Sequence, residues 1–226
     1  MSLVARSRSP GLSRVYAAAL AAVGWFALAI QLYLIVRGVP RTAAGIGGAI
    51  DRFVSFFTIV TNLLVAVAVT AWAWTPGEPE TASARRPRVA TALAAYISIV
   101  GLIYSLLLRN LWQPTGLQKI ADVLLHDAVP IAYVVYWLAF VPKGRLAWRD
   151  VLPWLLYPLG YALYSGVRGA LVGSYPYPFI DVGALGYPRV LLNVALLTLL
   201  FCGVGLAFIA IDRTMGRRVA ARATPS

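Results

Sequence analysis

Six apolar runs punctuate the chain at Val15–Val36, Phe53–Trp74, Val89–Leu108, Ile120–Val141, Val151–Val172 and Val190–Ile211. At about 1.5 Å per helical residue, each is long enough to cross about 30 Å of hydrocarbon. A membrane β-barrel would show short alternating segments instead, so the pattern predicts an all-α integral membrane protein, a bundle of six transmembrane helices. Short connections leave no room for a soluble domain: residues 1–14 form a basic lead, 15–212 the helical domain and 213–226 a basic tail. The first run is too long for a typical signal-peptide core and is read as a retained helix.

Four of the six runs contain no charge, which makes the polar positions in the others informative. The fourth carries Asp122, His126 and Asp127, and His126 is the only histidine in the chain. Charged groups at bilayer depth are costly unless they face a protein interior or a wet cavity. Asp122 and His126 are four residues apart and share a helix face, so the carboxylate is placed to orient or charge the imidazole, whereas Asp127 points about 100° away. Pro130 removes one backbone bond and frees a carbonyl nearby.

The second run places Ser55, Thr58 and Asn62 at i, i+3 and i+7, a polar stripe expected to face the bundle. Ser and Thr in such positions also bond to their own preceding carbonyls, and Asn joins helices. In the fifth run Tyr157, Tyr161, Tyr164 and Arg168 form an aromatic and polar stripe. Arg168 requires a counter-charge or a headgroup there, with Asp122, Asp181 and Asp127 as candidates in that order. Arg109, at the end of the third run, either snorkels to the interface or turns toward an acid. The segment Gly173–Val182, rich in Tyr and Pro, is read as a rigid interfacial loop able to cap an opening between helices. Gln31 is a candidate for a hydrogen bond to a neighbouring helix.

Composition agrees with the pattern: hydrophobic residues are 60% and charged residues 12%, with mean hydropathy +0.76. Thirteen of the twenty Lys and Arg residues fall on one side of the six-span arrangement and seven on the other, which places both termini in the cytoplasm. The net charge of +12 is spread over loops beside the spans, where it meets anionic lipid headgroups, so nucleic acid is not the expected partner. Cys202 stands alone and cannot form an intrachain disulfide. One histidine and scattered acids imply no metal or cofactor.

The segments Arg52-Phe53-Val54-Ser55-Phe56 with Asn62 beyond, His126-Asp127-Ala128-Val129-Pro130, and Tyr175-Pro176-Tyr177-Pro178-Phe179-Ile180-Asp181 resemble the androgen-induced-gene family of multipass membrane proteins, particularly its bacterial branch. Characterised animal members hydrolyse fatty acid esters of hydroxy fatty acids with an intramembrane threonine and a histidine. The resemblance implies a lipid-ester hydrolase in the bacterial cytoplasmic membrane with membrane lipids around it. Its histidine corresponds to His126, and its threonine position corresponds to Ser55, a departure that leaves Thr58 as a competing nucleophile. Asp122 is the candidate for holding the histidine; Asn62 or Arg168 for the oxyanion or a substrate carboxylate; Tyr161, Tyr164, Arg109 and Asp181 for the surrounding substrate site. A non-catalytic protein that binds or transports a lipid or small ligand through the same polar cavity is the alternative expectation.

Overall fold

The computed structural model describes residues 10–74 and 80–223, and no β-strand occurs among them. The helices are α1 Pro10–Val36, α2 Ala43–Val54, α3 Phe57–Trp74, α4 Glu80–Ile103, α5 Gly116–Val123, α6 Val129–Phe140, α7 Val151–Trp154, α8 Leu156–Val172, α9 Val182–Leu185 and α10 Tyr187–Ala223. By length and composition five segments are able to cross a membrane: Gly11–Val36, Phe57–Trp74, Arg86–Leu111, Gly116–Phe140 and Tyr187–Arg218. Leu163, Leu171, Leu191 and Leu199 stand mostly exposed on the outside. Such a surface suits lipid and would be an aggregation hazard in water.

Helix α4 runs through the middle of the bundle with α3, α6 and α10 against it. Its alanines at 90, 92, 94 and 95 are buried, and their small side chains admit close neighbours. Several polar side chains inside the bundle are spent on partners, although Asn62 Oδ1 and Ser165 Oγ are buried without a hydrogen bond. The indole of the fully buried Trp137 donates to Thr91 Oγ1 at 2.8 Å, while the Thr91 hydroxyl donates to the Pro87 carbonyl at 2.7 Å. Helix α1 lies along α3, where Gly24 faces Ala66 and Trp25 Nε1 donates to Thr70 Oγ1 at 3.0 Å.

Three expectations about element boundaries change. The second run is broken near its start: its first two residues end α2 at Val54, and α3 starts at Phe57. The Ser55 hydroxyl turns back onto the Arg52 carbonyl at 2.8 Å, closing α2. Ser55, Thr58 and Asn62 therefore do not form one continuous stripe. The fifth run divides between Trp154 and Leu156, leaving α8 at 17 residues. Pro158 has no N–H for the Trp154 carbonyl, which instead accepts from Tyr96 Oη at 2.6 Å. Tyr96→Phe would strand that carbonyl. It is expected to cost about 1–3 kcal/mol, read as a lower thermal midpoint in detergent, with an unchanged midpoint contradicting the pairing.

The third change concerns the segments flanking the spans. Residues 80–87, ahead of the third run, and the basic tail through Ala223 are helical, so α10 extends about 55 Å. Arg6, Arg8, residues 75–79 and residues 224–226 lie outside the described residues.

Candidate functional site

Asp122 closes the last turn of α5, and the next turn, Leu124–Ala128, is a widened π-helical one. Pro130 lacks the N–H that would bond to the His126 carbonyl, and the Val129 N–H bonds to Leu124 instead. The freed His126 carbonyl faces α4 at Gly101, where an added Cβ would sit 3.0 Å from it. Opposite lies a second π-helical turn, Tyr104–Leu108, directly after α4. Single π-turns inside helices are frequent at functional sites, and here two face each other.

The two turns bring together a compact cluster. His126 Nδ1 lies 3.0 Å from the Asp122 carbonyl and 3.3 Å from Asp122 Oδ1. With Nδ1–H donating to its own helix, Nε2 carries the free lone pair. The Tyr104 ring stacks on the imidazole at 3.9 Å and 15°, and its hydroxyl donates to Asp122 Oδ2. Arg109 covers Tyr104 at 4.9 Å and pairs with Asp127 Oδ1 at 2.5 Å, so it turns toward an acid rather than only toward the interface. Asp122 is 5% exposed, so its charge sits behind the imidazole and away from water.

A cavity of about 440 Å³ opens in front of this cluster. His126, Asp122, Tyr104, Thr58, Arg52 and Tyr177 are among the residues around it. Gln31 is there too, accepting from Gln118 Nε2 at 2.9 Å as the expected inter-helix bond. A second cavity of about 80 Å³ lies between α3, α4, α8 and α10, and Thr58, Leu108 and Tyr177 belong to both walls. Ser55 belongs to neither.

Thr58 occupies the second position of α3, where the main-chain N–H groups lack partners within the helix. Its N–H donates to Tyr177 Oη at 3.2 Å, and its hydroxyl is 3.3 Å from the same oxygen. Burial pushes the Tyr177 phenol up from its ordinary value, so it stays protonated and able to donate. Asn62 Nδ2 donates to the Thr58 carbonyl at 2.8 Å and to the Leu125 carbonyl at 3.2 Å. It thereby fastens the turn bearing Thr58 to the turn bearing His126.

The remaining expected residues serve elsewhere. Arg168 is corrected in partner: it holds Asp51 in a two-pronged pair, Nε to Oδ2 at 3.0 Å and Nη2 to Oδ2 at 2.5 Å, and donates to the Ser174 carbonyl. Asp122 and Asp127 are already taken by Tyr104, His126 and Arg109, and Asp181 caps α9 by accepting from the Ala184 N–H. Tyr161 Oη donates to the Ser55 carbonyl at 2.7 Å, and Tyr164 is exposed. Among the described residues, no group of three or more His, Cys, Asp or Glu is placed to hold a metal ion.

Tyr104, Tyr177 and Arg52 are among the cavity residues to which sequence reasoning gave no site role. Tyr177 had a signal, since it sits in the Tyr- and Pro-rich loop read as a cap. Tyr104 had none, because its approach to His126 depends on two widened turns. The chain matches no protein-family model, no curated protein and no solved structure.

Proposed function

We propose that this chain is a multipass protein of the bacterial cytoplasmic membrane, related to the androgen-induced-gene family, that hydrolyses lipid esters with Thr58 as nucleophile and His126 as base. Six spans with both termini in the cytoplasm complete the proposal, with α7 and α8 together making the fifth crossing and the cavity near the outer surface. The observation that carries it is that one cavity holds a helix-terminal hydroxyl at Thr58 and an acid-backed imidazole at His126.

In the proposed reaction, Thr58 Oγ1 attacks the ester carbonyl carbon while its proton passes to His126 Nε2. Asp122 stabilises the imidazolium. The bond to the leaving oxygen then breaks, and the proton moves from His126 to that oxygen, releasing an alcohol and leaving an acyl-threonine. Water repeats the sequence and releases the acid. Tyr177 Oη, beside Thr58 Oγ1, is the donor best placed for the developing oxyanion, because the Asn62 amide and the Arg168 guanidinium are already engaged.

Purified protein in detergent is expected to hydrolyse members of a long-chain ester panel, and His126→Ala to lower turnover by on the order of 10²–10⁴-fold. Turnover untouched by that substitution, in protein that remains folded, would overturn the assignment. Tyr104 positions the acid. Tyr104→Phe keeps the stack and removes the hydrogen bond, so kcat is expected to fall about tenfold at constant KM. A change confined to KM would contradict that role.

A non-catalytic lipid binder or transporter is the second reading. It is favoured by the Thr58 hydroxyl, which is paired with Tyr177 while His126 is paired with Asp122. Ligand binding without turnover of any ester would select it.

A further inference from the structure

The widened turn that carries His126 leaves main-chain carbonyls without partners. The Leu125 carbonyl would accept from the N–H four residues on in an α-helix, or five on in a π-turn. Val129, four on, already donates to the Leu124 carbonyl, and Pro130, five on, has no N–H. A buried carbonyl left without a donor is costly. Asn62 of α3 supplies one, with Nδ2 donating to the Leu125 carbonyl at 3.2 Å in a buried bond. The same nitrogen donates to the Thr58 carbonyl at 2.8 Å, one turn back on its own helix.

Both protons of that carboxamide are thereby engaged, and Asn62 is fully buried and lines neither cavity. Its Oδ1 has no hydrogen-bond partner. Turning the group over would set that oxygen against two carbonyl oxygens, so the amide has one workable orientation. It forgoes one acceptor and binds two carbonyls, which neither aspartate nor leucine can do. The Leu125 side chain is held as well, buried in a small apolar cluster with Ala27, Leu28, Ile59 and Ala66. The residue before His126 is thus fixed at both its carbonyl and its side chain, and from this turn the imidazole stacks on Tyr104 at 3.9 Å.

We propose that Asn62 is a positioning residue: its carboxamide stands in for the donor that Pro130 lacks, sustains the widened turn and holds His126 against Tyr104 in register with Thr58. Its effect on turnover rests on the hydrolase proposal; its effect on the place of the imidazole does not.

His126 is the only histidine, so isotope-labelled histidine in protein purified without a histidine tag gives a single imidazole in the NMR spectrum. The stacked Tyr104 ring is expected to move its ring-proton signals to high field. Asn62→Leu removes both donors, and Asn62→Asp keeps the shape but opposes the two carbonyls with oxygen. In both variants the high-field shift is expected to be lost, and kcat to fall about 100-fold at constant KM. Tyr96→Phe, which strands a carbonyl elsewhere in the bundle, separates a general loss of stability from this role, since it is expected to keep both the shift and kcat. The wild type alone provides a further arm. Of the carboxamides of Asn62, Asn110 and Asn193, one is expected to keep both protons in heavy water, and prompt exchange of all three would overturn the clamp even where the variants fail to fold. An unchanged imidazole signal in folded Asn62→Leu and Asn62→Asp would also overturn it, as would a change confined to KM. Loss of the shift in the variants, without turnover of any ester by wild type, would uphold the positioning and remove the hydrolase.

Discussion

Thr58→Ala is expected to lower ester hydrolysis by about three orders of magnitude, whereas Ser55→Ala stays within a few-fold of wild type. The two hydroxyls are three residues apart and both buried, so burial does not separate them. Their commitments do. Ser55 lies in the joint between α2 and α3, with its hydroxyl on the Arg52 carbonyl and its own carbonyl receiving Tyr161. Removing that hydroxyl costs about 1 kcal/mol of local hydrogen bonding and leaves both cavities as they are. Thr58 lies on the wall shared by the cavities, and Asn62 fastens its turn to that of His126. Turnover lost in Ser55→Ala but kept in Thr58→Ala would reverse the assignment and favour the family position over the geometry.

The largest stability effect is expected at the far end of the bundle. A Cβ added at Gly216 would lie 2.3 Å from Gly144 Cα and 2.7 Å from its nitrogen, so backbone meets backbone and no side chain is free to turn away. Gly144 has φ +78°, a conformation that keeps its own position glycine as well. The loop cannot drift outward cheaply: the Gly144 N–H bonds to the Asp212 carbonyl, the Leu146 N–H to the Asp212 carboxylate, and Arg213 Nη1 to the Leu146 carbonyl. Gly216→Ala is expected to cost about 2–3 kcal/mol, a fall of several degrees in the thermal midpoint in detergent. Gly203→Ala, in the same helix with open space around it, serves as the neutral comparison. Equal midpoints for the two variants would contradict the close crossing.

What the sequence reveals follows from which forces are local. Continuous apolar runs announce helices because lipid leaves the backbone no alternative, and the Asp122–His126 pairing follows from helical spacing alone. The joint at Ser55 is silent: Ser and Phe carry no breaking signal, and the hydroxyl chooses a carbonyl only once α2 has turned. The split of the fifth run was written in Pro158, but its tolerance depends on Tyr96, more than fifty residues away. Arg168 found Asp51 because α2 folds back beside α8, a tertiary fact that periodicity does not contain. The tail is helical because Ala and Arg are strong helix formers and Asp212 fastens α10 to the preceding loop. Tyr104 is the instructive case, since its contact with His126 exists only through two facing turns that depart from the regular helix.

Covalent labelling addresses the nucleophile most directly. The purified protein is treated with an alkyl fluorophosphonate, digested and mapped by mass spectrometry. The expected result is a single adduct on Thr58, absent from Thr58→Ala, strongly reduced in His126→Ala and retained in Ser55→Ala. An adduct on Ser55, or ester turnover with Thr58 left unlabelled, would contradict the proposed site.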